Sequence, residues 1–181
     1  MKKALVISLW LTCLVACTPN DLSLPELNPD QILITHIKEP LLSVIDRTEQ
    51  KVVHVEGLDF TVHALAPIGR HQVALASQEE ESIYVLDVAR NTLQPLNHLS
   101  VSAVTYLFYD EQKRQLIITE AQSQEVILYD LERETELHRI KVGPYPNAVA
   151  MDDQFLYVLN GDSATVRVLD RSTYGTVNTF Q

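Results

Sequence analysis

The sequence predicts an all-β fold built from repeated antiparallel sheets, because two landmarks share one period. Four apolar runs close on an aspartate: Ser43-Val44-Ile45-Asp46, Tyr84-Val85-Leu86-Asp87, Ile127-Leu128-Tyr129-Asp130 and Arg167-Val168-Leu169-Asp170, with the aspartates 41, 43 and 40 residues apart. A second apolar run ends 11 or 12 positions before each aspartate: Ile32-Leu33-Ile34, Val73-Ala74-Leu75, Leu116-Ile117-Ile118 and Leu156-Tyr157-Val158-Leu159. A period of about 40 to 45 residues, made of short β-rich runs separated by polar turns, is that of a β-propeller blade, a four-stranded antiparallel sheet.

Within a unit the strands are labelled A to D from the propeller axis outward. In the last unit A spans about Ala148 to Met151, B Phe155 to Asn160, C Thr165 to Asp170 and D Thr176 to Phe180. Asp152-Asp153 makes the A–B turn and Gly161-Asp162-Ser163 the B–C turn, with residue types that tolerate turn backbone. Asp170 with Arg171-Ser172-Thr173 opens the C–D turn, and the four repeating aspartates are expected to cap these turns through side-chain to backbone hydrogen bonds. Residues 31–56 supply B, C and D of a partial blade, and 57–99, 100–142 and 143–181 supply three whole blades, about 3.75 in all. An open arc exposes blade faces and strand edges. Three architectures therefore stay open: part of a larger propeller, an irregular four-bladed ring, or two arcs that self-associate to close one ring.

Residues 1–16 have the layout of a bacterial signal peptide: Met1-Lys2-Lys3 as a positive start, then an uncharged stretch from Ala4 to Ala16 that is too short to span a bilayer well. Leu14-Val15-Ala16-Cys17 resembles the lipobox of bacterial lipoproteins, and the resemblance implies cleavage before Cys17 and its lipidation, with palmitate-type acyl chains as a membrane anchor. An ordinary secretory signal or an internal apolar strand are the other readings of these residues. Thr18, where inner-membrane lipoproteins carry Asp, implies by the same resemblance the outer membrane, facing the periplasm or the surface. Residues 17–30, with Pro19, Pro25 and Pro29, read as an extended tether. After such processing no cysteine is left for a disulfide, a nucleophile or a metal, since Cys13 leaves with the signal.

The formal net charge of −10, from 14 basic and 24 acidic side chains, argues against nucleic acid or an anionic lipid surface as partner. The six histidines, His36, His54, His63, His71, His98 and His138, form no metal-binding pair, and no metal or cofactor is expected. The acidic residues Asp130, Glu132, Glu134 and Glu136 lack the glycine and bidentate glutamate of a calcium loop, and Glu79-Glu80-Glu81 falls on a B–C turn as a solvated loop. No nucleophile elbow, phosphate loop or dinucleotide fingerprint occurs.

Ile140-Lys141-Val142-Gly143-Pro144-Tyr145-Pro146-Asn147-Ala148-Val149-Ala150, then Leu156-Tyr157-Val158-Leu159-Asn160, then Thr165-Val166-Arg167-Val168-Leu169-Asp170 resembles a YVTN-type β-propeller repeat. The match is good over residues 138–181; in earlier units the loop survives only as Val55-Glu56-Gly57 and Leu99-Ser100-Val101. The resemblance implies an extracytoplasmic propeller. The lack of a Trp-Asp dipeptide and of Gly-Gly pairs, and the absence of tryptophan beyond Trp10, speak against WD40, kelch and tryptophan-docked propellers.

Propeller geometry gathers the D-to-A connections around one channel mouth. Asp59, Phe60 and His63, then Ser100 and Ser102, then Tyr145 and Asn147 are the candidate binding residues of that face. The favoured reading is a non-enzymatic, envelope-anchored binding or scaffold module for a protein or cell-wall partner. The alternatives are an extracytoplasmic propeller enzyme or enzyme subunit, lactonase-like or amine-dehydrogenase-like, and an inactive fragment of a larger propeller.

Overall fold

A computed structural model describes residues 31–181 except 56 and 78; the signal segment 1–16, Cys17 and the tether to residue 30 lie outside the described residues. Among the described residues, fifteen strands form four antiparallel sheets that follow one another along the chain. The first sheet has three strands, β1 (Gln31–His36), β2 (Leu41–Asp46) and β3 (Lys51–Val55). The second holds β4 (Ala64–Pro67), β5 (Gln72–Ala76), β6 (Ile83–Asp87) and β7 (Thr92–Pro95). The third holds β8 (Val104–Asp110), β9 (Gln115–Glu120), β10 (Glu125–Asp130) and β11 (Thr135–Lys141), and the fourth β12 (Pro146–Met151), β13 (Phe155–Asn160), β14 (Thr165–Asp170) and β15 (Thr176–Phe180). Every sheet is a meander in which chain neighbours pair, so the expected all-β fold is present as a partial propeller. In the last sheet the inner strand starts at Pro146, two residues before its expected start, and the other three strands have the expected bounds.

One turn device recurs. The Oδ1 atom of Asp46, Asp87, Asp130 and Asp170 accepts the backbone N–H groups two and three residues further on, at 2.8–3.1 Å. Asp110 and Asp152 do the same in A–B turns. Four residues after five of these six aspartates the chain turns left-handed, at Gln50, Asn91, Arg114, Glu134 and Tyr174, with φ between 51 and 56°. The aspartate thus satisfies the turn's free amides while the left-handed residue returns the chain to the next strand. Gln31 and Gln72 lie opposite Asp46 and Asp87 and donate Nε2 to the remaining carboxylate oxygen, at 3.1 and 3.2 Å, tying strand B to strand C.

The core lies between blades rather than within a single layer. Leu42, Val44 and Val55 of the first sheet meet Val73, Leu75 and Leu86 of the second. Ala74, Ala76 and Ile83, on the other face of the second sheet, meet Leu116, Ile118, Ile127 and Tyr129. Ile117, Val126 and Leu128 then meet Leu156, Val158 and Leu169. Each internal sheet is buried on both faces, and this is why its B and C strands are continuous apolar runs instead of alternating ones. The inner strands β4, β8 and β12 lie side by side in succession, as strands around an axis do.

The seam between the third and fourth blades has one polar clamp. Arg171, the residue after the cap Asp170, places Nη2 2.6 Å from Oδ2 of Asp110, with both side chains almost completely buried. At the preceding seam the same two positions hold Leu131 and Ile68, which share the apolar core.

Two outcomes follow for urea unfolding. Asp110→Ala strands a buried guanidinium and lowers stability by about 3–5 kcal/mol, whereas the double variant Asp110→Leu, Arg171→Leu recovers most of that loss. In acid, hydrogen bonds from the Ser172 hydroxyl and from the Thr173 and Ser172 amides hold the Asp170 carboxyl down at about 2, and the Arg133 amide leads the groups that lower Asp130. Because these carboxyls are depressed in the folded state, their contribution is complete above the ordinary value of about 4 and is lost as pH falls toward about 2. The urea midpoint falls across that window, and Asp170→Asn flattens the fall.

Candidate functional site

In a four-stranded meander the A–B and C–D turns emerge at one end, while the B–C turns and the D-to-A connections emerge at the other. The capped aspartate turns occupy the first end. The second, the crossing face, is built by what closes each B strand.

By register, Ser77, Glu120 and Asn160 stand at the same place, just at the end of strand B, and all three are buried. A connection crossing the end of a sheet brings backbone groups that need partners. Glu120 supplies one by accepting the Ser102 amide, and also the Ser102 hydroxyl at 3.0 Å. Asn160, 40 residues on, donates Nδ2 to the Val142 carbonyl at 3.2 Å, again reaching 18 residues back along the chain.

In the third blade this closure grows into a charged network. Glu120 also accepts the Ser123 hydroxyl and lies 3.4 Å from Nη1 of Arg139. Arg139 further pairs with Glu136 at 2.8 Å and Glu125 at 3.7 Å, and donates Nη2 to the Ser100 carbonyl at 2.6 Å. Lys141 reaches Glu125 at 3.1 Å. Burial alone would raise the Glu125 carboxyl, but hydrogen bonds from Lys141 and Ser123 and the charges of Lys141 and Arg139 outweigh it and hold Glu125 below the usual carboxylate range. A polar cavity of about 350 Å³ opens here, lined among others by Ser100, Ser102, Glu120, Gln122, Ser123 and Arg139. Three carboxylates share two cations at this site, so it does not attract an anion and suits neutral or basic hydrogen-bonding groups.

Nearer the axis, a second set of equivalent residues occupies the start of the inner strands. Thr105 and Asn147 sit where the β8–β9 and β12–β13 registers shift, and His63 precedes β4, its amide bonded to the Ala76 carbonyl at 2.8 Å. The three are spaced 42 residues apart. Thr105 Oγ1 donates to the Pro146 carbonyl, which links β8 to the next blade's inner strand. Among the described residues, the buried side-chain polar atoms that lack a hydrogen-bond partner are Thr61 Oγ1, His63 Nδ1, Asn147 Oδ1 and Asn160 Oδ1, and all four lie on the crossing face. Buried polar atoms are normally satisfied, so the strand ends of this face are less fully paired within the chain than the capped turns of the other.

The seven sequence-derived candidates divide accordingly. Asp59 and Ser100 are exposed on the connections, and Tyr145, 43% exposed, is held left-handed at φ 55°. Ser102, His63 and Asn147 are half-buried in the networks just described. Phe60 is core: it is 3% exposed and stacks on Tyr84 with ring centroids 4.5 Å apart, so it presents nothing to a partner. Leu58, Phe60 and Val62 alternate inward along the connection while Asp59, Thr61 and His63 take the other side, an alternation visible in the sequence. Glu120, Arg139, Thr105 and Asn160 were not among the candidates. The 42-residue spacing marked Thr105, whereas Glu120 and Asn160 share a position but no chemistry. No group of three or more His, Cys, Asp or Glu able to hold a metal ion occurs among the described residues.

No family model matches the chain, and no curated protein matches it significantly. Solved structures do match, among them the hydrazine synthase of Kuenenia stuttgartiensis, with a TM-score of 0.58 and 17% identity over 65% of this chain. The chain spans about a third (35%) of the length of that structure, and at this identity the likeness is one of fold.

Glu120→Ala removes the acceptor shared by Ser102, Ser123 and Arg139, and lowers unfolding free energy by about 3 kcal/mol in urea. The same truncation at exposed Glu49 changes it by less than about 1 kcal/mol.

Proposed function

We propose that the chain is an envelope-anchored β-propeller lipoprotein that acts as a non-enzymatic binding or scaffold module, holding a protein or cell-wall partner on its crossing face. The observation that carries this reading is the polar cavity of about 350 Å³ that opens on that one face, lined by Ser100, Ser102, Gln122 and Ser123 beside Glu120 and Arg139, whose polar side chains a partner's hydrogen-bonding groups could meet. Loops fixed on a rigid scaffold are the usual place for recognition. The local excess of carboxylates around Arg139 and the net charge of −10 favour a neutral or basic partner surface. The anchor in this reading is Cys17, and the following proline-rich tether, at about 3.1 Å per residue, would let the domain stand roughly 40 Å from the lipid.

Two measurements test the reading separately. Labelled palmitate enters the wild-type chain in bacterial cells and Cys17→Ala abolishes the label; a label that persists in the variant removes the anchor from the account. A photo-crosslinking residue at Tyr145 or Ser100 captures one discrete envelope component, whereas the same probe at Thr173, on the capped-turn end, does not. Equal capture from both ends contradicts recognition by the crossing face.

A further inference from the structure

Two successive seams between blades differ in what fills them. Four positions after their aspartate caps, the C–D turns of the third and fourth blades carry left-handed Glu134 and Tyr174, with φ of 51 and 56°. Tyr174 is half-buried in the seam between the third and fourth blades, packed against its apolar core. Its ring lies 5.1 Å from that of His138, and its hydroxyl donates to Oε1 of Gln115 at 3.0 Å while accepting from Nζ of Lys113 at 2.9 Å. Glu134, at the same turn position one blade earlier, has no ring to seat there. It is exposed, and its carboxylate accepts the Asn97 side-chain amide at 2.6 Å.

The corresponding space stays open. A cavity of about 230 Å³, lined by Glu134 and by Gln72 and Gln94, occupies the seam between the second and third blades. Gln72 stands opposite the cap Asp87 as Gln115 stands opposite the cap Asp130. Gln94 stands opposite Val85 as His138 stands opposite Leu128, each two residues before its cap. The two glutamines are therefore the counterparts of the residues that meet the hydroxyl and the ring of Tyr174. Gln72 donates Nε2 to Asp87 at 3.2 Å, which leaves Oε1 as its acceptor atom. Ile68, Val85 and Leu131 make an apolar wall, Tyr109 adds a ring, and Arg114 brings a guanidinium, as Lys113 brings an ammonium to Tyr174. A cavity of about 150 Å³ holds benzene, so one aromatic ring with a small substituent fits here.

We infer that this cavity binds a small monocyclic phenol, whose ring sits where Tyr174 sits one seam further on and whose hydroxyl donates to Oε1 of Gln72. The chain's own tyrosine supplies the pattern: a ring against apolar walls, a hydroxyl on the glutamine that opens strand B, and a cation beside it. A saturated ring offers no π face to Arg114 or Tyr109, and a plain hydrocarbon gives Gln72 no hydroxyl. The cavity shares no lining residue with the one on the crossing face, and the inference depends neither on that face nor on lipid at Cys17.

Calorimetric titration of 4-methylphenol into the full-length chain in detergent, with detergent alone as the blank, tests this. The wild type binds it with a Kd on the order of a millimolar or tighter, and binds cyclohexanol and toluene roughly tenfold more weakly. Glu134→Tyr gives this turn the side chain that the next blade's turn already carries in the same left-handed conformation, and weakens binding at least about tenfold, whereas Glu134→Gln leaves it within about twofold. Gln94→Trp, at an exposed position of the outer strand, fills the cavity from another wall and has the effect of Glu134→Tyr, so the test stands even where that variant does not fold. A wild type that binds 4-methylphenol no more tightly than these two filled variants, or that binds cyclohexanol equally well, overturns the proposal.

Discussion

Burial of both faces of every internal sheet is the constraint on which the rest of this structure depends. A sheet with one wet face satisfies itself with a single packed layer, but the second and third blades here have apolar side chains at odd and even positions of strands B and C alike. Such a sheet buries all its apolar side chains only between two others, and a row of them turns about an axis as sheet twist accumulates. The terminal blades inherit the same two-faced pattern with one neighbour each, and this is why exposed Ile32 and Phe180 stand at the arc's ends and not along its flanks.

The two ends of the propeller divide the labour. At one end, aspartate caps close turns locally, each carboxylate serving amides two and three residues away, so that end is self-sufficient in hydrogen bonds. At the other, the long connections pass over strand ends and depend on side chains from far along the chain, Glu120 and Asn160. Closure there is idiosyncratic from blade to blade and, among the described residues, leaves a few buried polar atoms without a partner in the chain. That asymmetry is why the crossing face is the one proposed for recognition, and it follows from connectivity before any residue is chosen.

Strands B and C were legible in the sequence because they are the strands buried on both faces and end on a cap, and β13, β14 and β15 fall where the apolar runs and turn residues put them. Inner strands were harder. The strand β4 has four residues and ends in Pro67, and β12 begins at Pro146, so neither gives a long periodic signal. The site was legible only in location. Phe60 belonged to an alternation whose inward side was apolar, and Glu120 gave no motif because its equivalents, Ser77 and Asn160, solve the same backbone problem with different groups.

The central claim is that stability comes from stacking two-faced blades, so protection should be greatest where both faces are covered. Amide hydrogen exchange followed strand by strand tests it most directly. The account requires β9 and β10 of the third blade, with neighbours on either side, to exchange slowest, and the outer strands β3 and β15 of the terminal blades to exchange fastest. Protection in β15 equal to that in β9 and β10 would contradict it, since a sheet covered on one face would then be as stable as a sheet covered on both.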